Sequence, residues 1–506
     1  MFENCGSSFA AKQFVDIKLG AKGILMLTCL KKNPPETRSA PAVAAGAIIM
    51  KKHTNDFEHD AIPQLVLRLA IPTMLAQLVS VLYSIVDRMY IGIGVGDLAL
   101  AGVGVCSPIV TLLSSFASLV GLGGSPIMAM RMGEGNQKEA RRILNNAFLM
   151  LLGLSLALTV LFWFSKAQLL MWFGASTSTF DYANTYVSIY TAGTVFALIS
   201  AGMNSFLIAQ GFSGLGMATV VLGAVLNIIL DPVFIFLCHM GVAGAAIATV
   251  LSQLASCLFV LCSLFSKKMP VRLGVDGFQL RVVRKIVSFG FSPFLIIASD
   301  SILLIVLNTV LQRYGGPGEG DTLVTCATIV QSYLLLITMP LGGITLGSQP
   351  VVSFNYGLGS APRMKQAIRC IVLLCVCFCT LMMVVTHTCS PLYVSLFTRD
   401  PEIRLRSVRY IKLFTAMIIP LAVQYPLVDE TTALGQVKLA LFCSAFRKLI
   451  FFSCLLLLPA VFTAEAAFFS EPVADVTAAC MTTLIFRHCF PRIVASRLQE
   501  RERTQA

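Results

Sequence analysis

The sequence predicts an all-α integral membrane protein of twelve transmembrane helices, arranged as two homologous six-helix lobes. Three observations predict this fold: an apolar composition, an internal repeat and the spacing of the apolar segments. Of the 506 residues, 56% are hydrophobic and only 12% are charged, and the mean hydropathy is +0.81. Because a soluble domain carries about 25% charged residues, the composition excludes a soluble protein.

The chain repeats itself at a constant offset of 224 residues. Gly133 and Gly135, for example, recur as Gly357 and Gly359. The same offset pairs Leu122-Gly123 with Leu346-Gly347, Pro126 with Pro350, Phe173 with Phe397, Tyr186 with Tyr410, Ala209 with Ala433, and Gly211 with Gly435. Two hydrophobic repeats in one chain are typical of membrane transporters whose substrate path lies between the halves.

Twelve segments are long and apolar enough to cross a bilayer, which requires about 20 residues per helix. They lie at 67–92, 98–129, 143–165, 183–210, 215–238, 242–266, 285–313, 321–347, 367–388, 403–434, 438–462 and 465–489. Each repeat therefore holds an even number of spans. The two lobes should then have the same orientation and form a parallel repeat about an axis along the membrane normal.

Basic residues predict the orientation of the chain. The connections after even-numbered spans and the tail after the last span are rich in Lys and Arg, whereas 92–98 has none. The stretch 399–406 is an exception that also carries Asp400 and Glu402. The positive-inside rule places both termini in the cytoplasm. We expect a multi-pass protein of the cell inner (cytoplasmic) membrane, organised as an N-terminal tail 1–64, a first lobe 65–266, a cytoplasmic connection 267–284, a second lobe 285–489 and a basic tail 490–506.

The first 49 residues have no counterpart in the second repeat and contain no spanning segment. Met50-Lys51-Lys52-His53 resembles a natural start. We therefore expect residues 1–49 to be either a mis-annotated upstream extension or a disordered tail.

Two further features of the composition have ordinary explanations. The 16 cysteines are scattered through apolar segments, so we interpret them as small apolar residues and predict no disulfide framework and no metal or redox cluster. The net charge of +13 comes from short stretches between spans, where basic residues set topology. No separate basic domain exists that could bind nucleic acid.

The sequence contains no phosphate-binding loop of the G-x-x-x-x-G-K-[ST] type and no H-E-x-x-H or G-x-S-x-G motif. We therefore expect no enzyme activity, no cofactor and no ATP site. Transport would instead use an ion gradient, and ionisable residues within the spans become the candidate sites.

Two aspartates of the first lobe are the leading candidates. Asp87 lies late in the first span and would bind a proton or sodium; alternatively, it pairs with Arg88 near the outer leaflet. Asp231 shares a helical face with Asn227, four residues earlier. Pro232 disfavours helical geometry at Asp231 and releases a backbone carbonyl one turn earlier. Together these groups predict an ion or proton site, to which Thr249 could add a hydroxyl; the alternative is a buried acid satisfied by Asn227 alone.

The second lobe holds further acids within its spans. Asp300, Asp429 and Glu430 are candidates for the substrate cavity, and Glu471 precedes Pro472 in the last span. Asp429 and Glu430 are adjacent and must point to different faces of a helix. The alternative for each acid is local hydrogen bonding or exposure to the cytoplasm.

At these residues the sequence resembles the multidrug and toxic compound extrusion (MATE) family, in particular its bacterial MepA-like and DinF-like branch. The resemblance covers about 65–450. It is carried by Leu69-Ala70-Ile71-Pro72, Ile85-Val86-Asp87, Gly121-Leu122-Gly123-Gly124, the segment 226–236 around Leu230-Asp231-Pro232, the segment 244–250, Gly290-Phe291-Ser292-Pro293-Phe294, the segment 349–357 and, more weakly, Ala445-Phe446-Arg447-Lys448.

The resemblance implies a V-shaped antiporter that exports amphipathic, often cationic compounds in exchange for H⁺ or Na⁺. It implies a cation site at Asp87, Asn227, Asp231 and Thr249 and a polar cavity position at Asn204. The acids at Asp300, Asp429 and Glu430 and the base at Lys448 depart from the family's usual residues. A lipid or lipid-linked-sugar flippase of related fold is the alternative. We expect small drug-like substrates and the bilayer as partners, and a monomer.

Overall fold

The computed structural model describes residues 55–173, 175–274, 277–316 and 319–505. The expectation for residues 1–49 therefore lies outside the described residues. Residues 55–505 belong to one compact unit. Within the described ranges the secondary structure is entirely helical, as the apolar segments predict.

Fourteen α-helices make up most of the described chain. The first repeat contains α1 (Ile62–Gly94), α2 (Asp97–Gly133), α3 (Gln137–Trp172), α4 (Phe180–Ala192), α5 (Thr194–Ala209), α6 (Ser213–Pro232) and α7 (Gly241–Phe265). The second contains α8 (Leu280–Gly315), α9 (Glu319–Leu358), α10 (Ala361–Val394), α11 (Pro401–Phe414), α12 (Ile418–Ala433), α13 (Val437–Val461) and α14 (Ser470–Gln505). A π-helical turn, Val233–Leu237, follows α6, and a 3₁₀ turn, Ala464–Phe469, precedes α14.

These helices provide the twelve predicted spans. Nine described helices are individually long and apolar enough to cross a membrane. The fourth and tenth spans are broken: α4 and α5 meet at 58°, and α11 and α12 meet at 50°. The first break lies at Gly193, where a Cβ atom would overlap Val250. The twelfth span is α14, whose charged side chains exclude it from the purely apolar set.

The internal repeat is present in the backbone. Helices α3, α5 and α6 begin at residues 137, 194 and 213, and α10, α12 and α13 begin 224 residues later at 361, 418 and 437. Gly135 and Gly359 have φ angles of +77° and +76°, and Gly211 and Gly435 have +87° and +78°. These left-handed conformations favour glycine after a helix, which explains why the repeat retains these four residues.

The two lobes exchange the first turns of their first helices. Ile62, Leu65 and Leu69 of α1 pack in the core of the second lobe. Val282 and Ile286 of α8 pack in the core of the first lobe. Each lobe is therefore completed by a helix from the other repeat, which ties the two cores together at this end of the molecule.

Glycines let the lobes meet closely near the ends of α2 and α9. A Cβ at Gly133 would overlap the carbonyl of Phe354, and a Cβ at Gly357 would overlap the carbonyl of Met130. Met130 and Phe354 are themselves 224 residues apart, so the contact is symmetric. Arg497 of α14 adds a link between lobes, because its guanidinium pairs with Glu134 and donates to the carbonyl of Gly357.

We expect Gly133→Ala to destabilise the protein because the added methyl group forces α2 and α9 apart. Overpacking of this kind costs about 1–3 kcal/mol, and a measurable fall in Tm in detergent should report it. Gly153→Ala is the matched control: Gly153 lies within α3 with open space around its Cβ position. An unchanged Tm for Gly133→Ala would contradict the close contact.

Candidate ion and substrate site

Three of the predicted site residues form a connected group between α6 and α7. The Asn227 amide donates to Asp231 Oδ1 at 3.1 Å and to Thr249 Oγ1 at 3.5 Å. The Thr249 hydroxyl donates to the Ala245 carbonyl at 3.0 Å. Asp231 is 0% exposed. The i,i+4 spacing of Asn227 and Asp231 thus places both on one helix face, as predicted.

The fourth residue, Asp87, reaches the same group from α1. Its carboxyl group faces that of Asp231 within hydrogen-bonding reach. Asp87 Oδ1, Asp231 Oδ2 and Asn227 Oδ1 are all buried without a hydrogen-bond donor. Two facing carboxylates have only acceptor atoms to offer each other, so a proton or a small cation is what this arrangement lacks. Pairing with Arg88 alone, the alternative for Asp87, does not account for this contact.

The backbone beside Asp231 differs from the expected geometry. Helix α6 continues through Asp231 and Pro232, and the disturbance appears afterwards as the π-helical turn. Since Pro232 has no N–H, the hydrogen bonding shifts beyond it, and the Cys238 N–H bonds to the Val233 carbonyl. Insertions of this type are frequent at functional sites. Phe236 of this turn packs edge-on against Tyr90, which braces the end of α1.

Sequence reasoning missed the tyrosines around this site. Tyr83 and Tyr186 both lie close to Asp87, and the Tyr186 hydroxyl is within hydrogen-bonding reach of Thr249. Tyr190 stacks on Tyr186 with ring centroids 6.1 Å apart. A signal existed for Tyr83, which precedes Asp87 by four residues and so shares its helix face. The aromatic rings give the site apolar walls beside its charged centre.

Asn204 lies apart from this group. Its amide oxygen approaches Gly216 near the start of α6 and has no hydrogen-bond donor. Fifteen residues of helix separate Gly216 from Asp231, which corresponds to about 22 Å along the axis. The structure therefore does not bring Asn204 to the Asp87–Asp231 pair.

The acids of the second lobe also lie in separate environments. Asp300 of α8 forms an ion pair with Lys448 of α13. The Asp429 side chain is in hydrogen-bonding reach of Thr345, and its carbonyl accepts from Gln349 at 3.1 Å. Glu430 is 0% exposed, and neither carboxylate oxygen has a donor. The sequence correctly separates Asp429 from Glu430 by helix face.

A buried charge network in the second lobe was not predicted. Arg447 of α13 pairs with both Glu471 and Asp475 of α14. Asp475 is 1% exposed, and its second oxygen has no donor. The i,i+4 spacing of Glu471 and Asp475 on a helix next to the Arg447 segment was the available signal. Local pairing, the alternative named for Glu471, is what the structure shows.

The site of the first lobe has no equivalent in the second. At the offset of 224, Asn227, Asp231 and Thr249 correspond to Phe451, Leu455 and Val473. Phe451 and Leu455 are buried in the apolar core of the second lobe. The duplicated fold therefore does not require polar residues at these positions, so the polar set of the first lobe is specific to that lobe.

The duplicated six-span lobes and a buried carboxylate site define a polytopic membrane protein of the transporter type. The sequence model of the MatE family matches residues 72–233 and again 296–454, more than half of the chain. The two matches begin 224 residues apart, as the internal repeat requires. The chain belongs to the MATE family, which confirms the resemblance drawn from its motifs.

Relatives and solved structures agree with this assignment. The chain is 22% identical over 431 residues to the multidrug export protein MepA of Staphylococcus haemolyticus strain JCSC1435, covering 85% of this chain and 94% of that protein. MepA of Staphylococcus aureus strain N315 is also 22% identical, over 434 residues, with the same coverage of each chain. An outward-facing multidrug resistance MATE family transporter of the MOP superfamily superposes with a TM-score of 0.80 at 22% identity, covering 86% of this chain and 97% of that one.

Another similar structure is a MOP superfamily transporter from Pyrococcus furiosus, described as having a binding pocket of reverse polarity. It has a TM-score of 0.80 at 23% identity and covers 86% of this chain and 97% of that one. At these identities the structures establish the fold that the two chains share.

If Asp87 and Asp231 form one site, Asp87→Asn should change how substrate binding depends on pH. Wild-type affinity for a monocationic drug should rise with pH as the facing carboxylates lose protons. The variant should bind about tenfold more weakly at neutral pH, because one charged contact is lost, and should titrate as a single group. Equilibrium binding in detergent measures both effects. Glu58→Gln, which removes an exposed acid, is the control, and identical profiles for Asp87→Asn and wild type would contradict a shared site.

Proposed function

We propose that this protein is a secondary active multidrug exporter that expels amphipathic, often cationic compounds in exchange for H⁺ or Na⁺ by alternating access. The observation that carries the proposal is the buried pair of Asp87 and Asp231, whose facing oxygens have no donor. The MepA relatives are named as multidrug export proteins, which supports the substrate class.

The chemistry of the site suits exchange of one cation for another. Carboxylate, amide and hydroxyl oxygens of Asp87, Asp231, Asn227 and Thr249 can accept a proton or coordinate Na⁺. When the pair is deprotonated, its negative charge attracts a cationic substrate, and Tyr83 and Tyr186 offer aromatic faces to it. When a proton or Na⁺ binds, that attraction is lost and the substrate can leave.

The position of the site suits alternating access. The glycine contacts between lobes lie near the ends of α2 and α9, and Gly343 of α9 rests against Thr73 and Met74 of α1. Asp87 lies thirteen residues beyond Met74 on α1, or about 20 Å along the helix. We infer that the sealed end faces the cytoplasm, together with both termini, and that the site opens to the opposite side in this conformation.

Neutralisation of the site should also favour movement of the first lobe. A charged carboxylate at the centre of a membrane costs about 2.5–3.5 kcal/mol on the insertion scale. Protonation of Asp87 and Asp231 removes that penalty, so the helices around them can close after the substrate has left. Deprotonation on the other side would reverse the change. A flippase for lipid-linked sugars would instead favour a basic cavity, and the buried acids favour cationic cargo.

Asp231→Asn should abolish active efflux while the protein remains folded and inserted. The amide keeps the size and the hydrogen-bonding capacity of the side chain but can neither bind a proton nor carry charge. Drug accumulation in cells, compared with an empty vector, measures efflux. Asp181→Asn, which alters an exposed acid at the start of α4, should retain wild-type activity. Wild-type efflux by Asp231→Asn would rule out the coupling role.

Drug and coupling ion should compete at equilibrium. Affinity for a cationic drug should fall as pH decreases, or as Na⁺ increases, and drug binding must weaken ion binding by the same factor. Titrations in detergent across pH and Na⁺ concentration identify which ion competes. Drug affinity that is constant under all these conditions would place coupling elsewhere, with Asp300, Asp429 and Glu430 as the next candidates.

A further inference from the structure

A basic pocket of about 800 Å³ lies between the first turns of α3 and the segment that connects the lobes. Its lining includes four basic side chains: Lys138, Arg141, Arg142 and Arg272. None of the described lining residues is acidic. The pocket is far in sequence from Asp87 and Asp231 and belongs to no part of the transport site described above.

Buried amides hold the walls of this pocket in place. The Asn145 side-chain oxygen accepts from the Gly274 N–H at 2.8 Å, and that of Asn146 accepts from the Gln279 N–H at 2.7 Å. Both asparagines are almost fully buried, at 1% and 0% exposure. The Gln210 side chain accepts from the Val271 N–H at 2.9 Å. The connecting segment is therefore pinned to the first lobe on both sides of the pocket.

The electrostatics of the pocket favour an anion. Lys138, Arg141 and Arg142 lie in the first turns of α3, where the helix dipole is unfavourable for cations. Arg142 pairs with Glu139 at 3.5 Å. Arg141 lies against the backbone at Gly274, where a Cβ would overlap its guanidinium. An anionic group in the pocket would interact favourably with the basic side chains and with the helix terminus together.

The rim of the pocket indicates the source of the anion. Phe278, between the lining residues Gly277 and Gln279, is 60% exposed, and the neighbouring Leu280 is 54% exposed. Both α3 and α8 enter their membrane-spanning segments here. Exposed aromatic and aliphatic side chains beside a basic cluster are typical of a bilayer interface. A free phosphate ion would gain nothing from such an apolar rim.

We propose that this pocket binds the headgroup of an anionic phospholipid, with the acyl chains lying over Phe278 and Leu280. Lys138 and Arg272 provide exposed cations for the phosphate. The buried asparagines provide the rigidity that distinguishes this pocket from an ordinary basic loop.

The test is a titration of the full-length protein in detergent with phosphatidylglycerol or phosphatidylcholine, followed by native mass spectrometry. Wild type should bind phosphatidylglycerol in preference. Lys138→Gln/Arg272→Gln should bind it about 30-fold more weakly, since each basic residue near an anionic lipid contributes about fivefold. The charge-matched control, Arg404→Gln/Arg409→Gln, alters two exposed arginines of α11 and should bind within twofold of wild type. Thermal unfolding checks that each variant is folded.

Further arms separate the alternatives. Phe278→Ser should weaken binding of phosphatidylglycerol but not the competition by inorganic phosphate. If inorganic phosphate binds as tightly as the lipid, the site is one for a free anion and the proposal is wrong. It is also wrong if the control variant loses as much affinity as the pocket variant, or if the pocket variant binds like wild type. Should the double variant not fold, Lys138→Gln alone should show the fivefold loss.

Discussion

The contact between Asp87 and Asp231 is the constraint on which the rest of the structure depends. Two carboxylates face each other within an apolar bundle, with acceptor oxygens and no donor between them. Each ionised acid in a membrane carries a free-energy penalty, and two at short distance repel each other. The arrangement is stable only when a cation or proton is shared, so the charge state of the site and the packing of α1 against α6 cannot vary independently.

Helix α1 connects this site to the contact between the lobes. Its first turns, with Leu65 and Leu69, pack in the core of the second lobe, while its last third carries Asp87 into the first. Gly347 of α9 allows close contact with α1 at Leu69 and Thr73. A shift of α1 at the site would therefore alter the packing of the other lobe directly. The exchange of first helices makes one rigid element responsive to both regions, which is the kind of physical connection that coupling requires.

Much of this could be predicted from the sequence, because the signals were periodic or local. Apolar length gave the spans, and the offset of 224 gave the duplication. The i,i+4 spacing of Asn227 and Asp231 gave half of the site. The bend at Gly193 and the continuation of α6 through Asp231 depend on tertiary packing, which no local pattern encodes. The contacts of Tyr186, Arg447 and Asp475 join residues from different helices, so composition and spacing alone did not reveal them.

The two halves of the molecule show what duplication preserves and what it releases. Gly133 and Gly357, or Gly135 and Gly359, occupy equivalent positions because helix contact and chain reversal are needed in both lobes. Asp231 and Leu455 do not share chemistry, although both are buried at equivalent positions. Leucine satisfies the packing at this position without any electrostatic penalty. Retaining an aspartate there lowers the intrinsic stability of the first lobe unless a cation is bound, and that dependence is the property that an ion-coupled transporter needs.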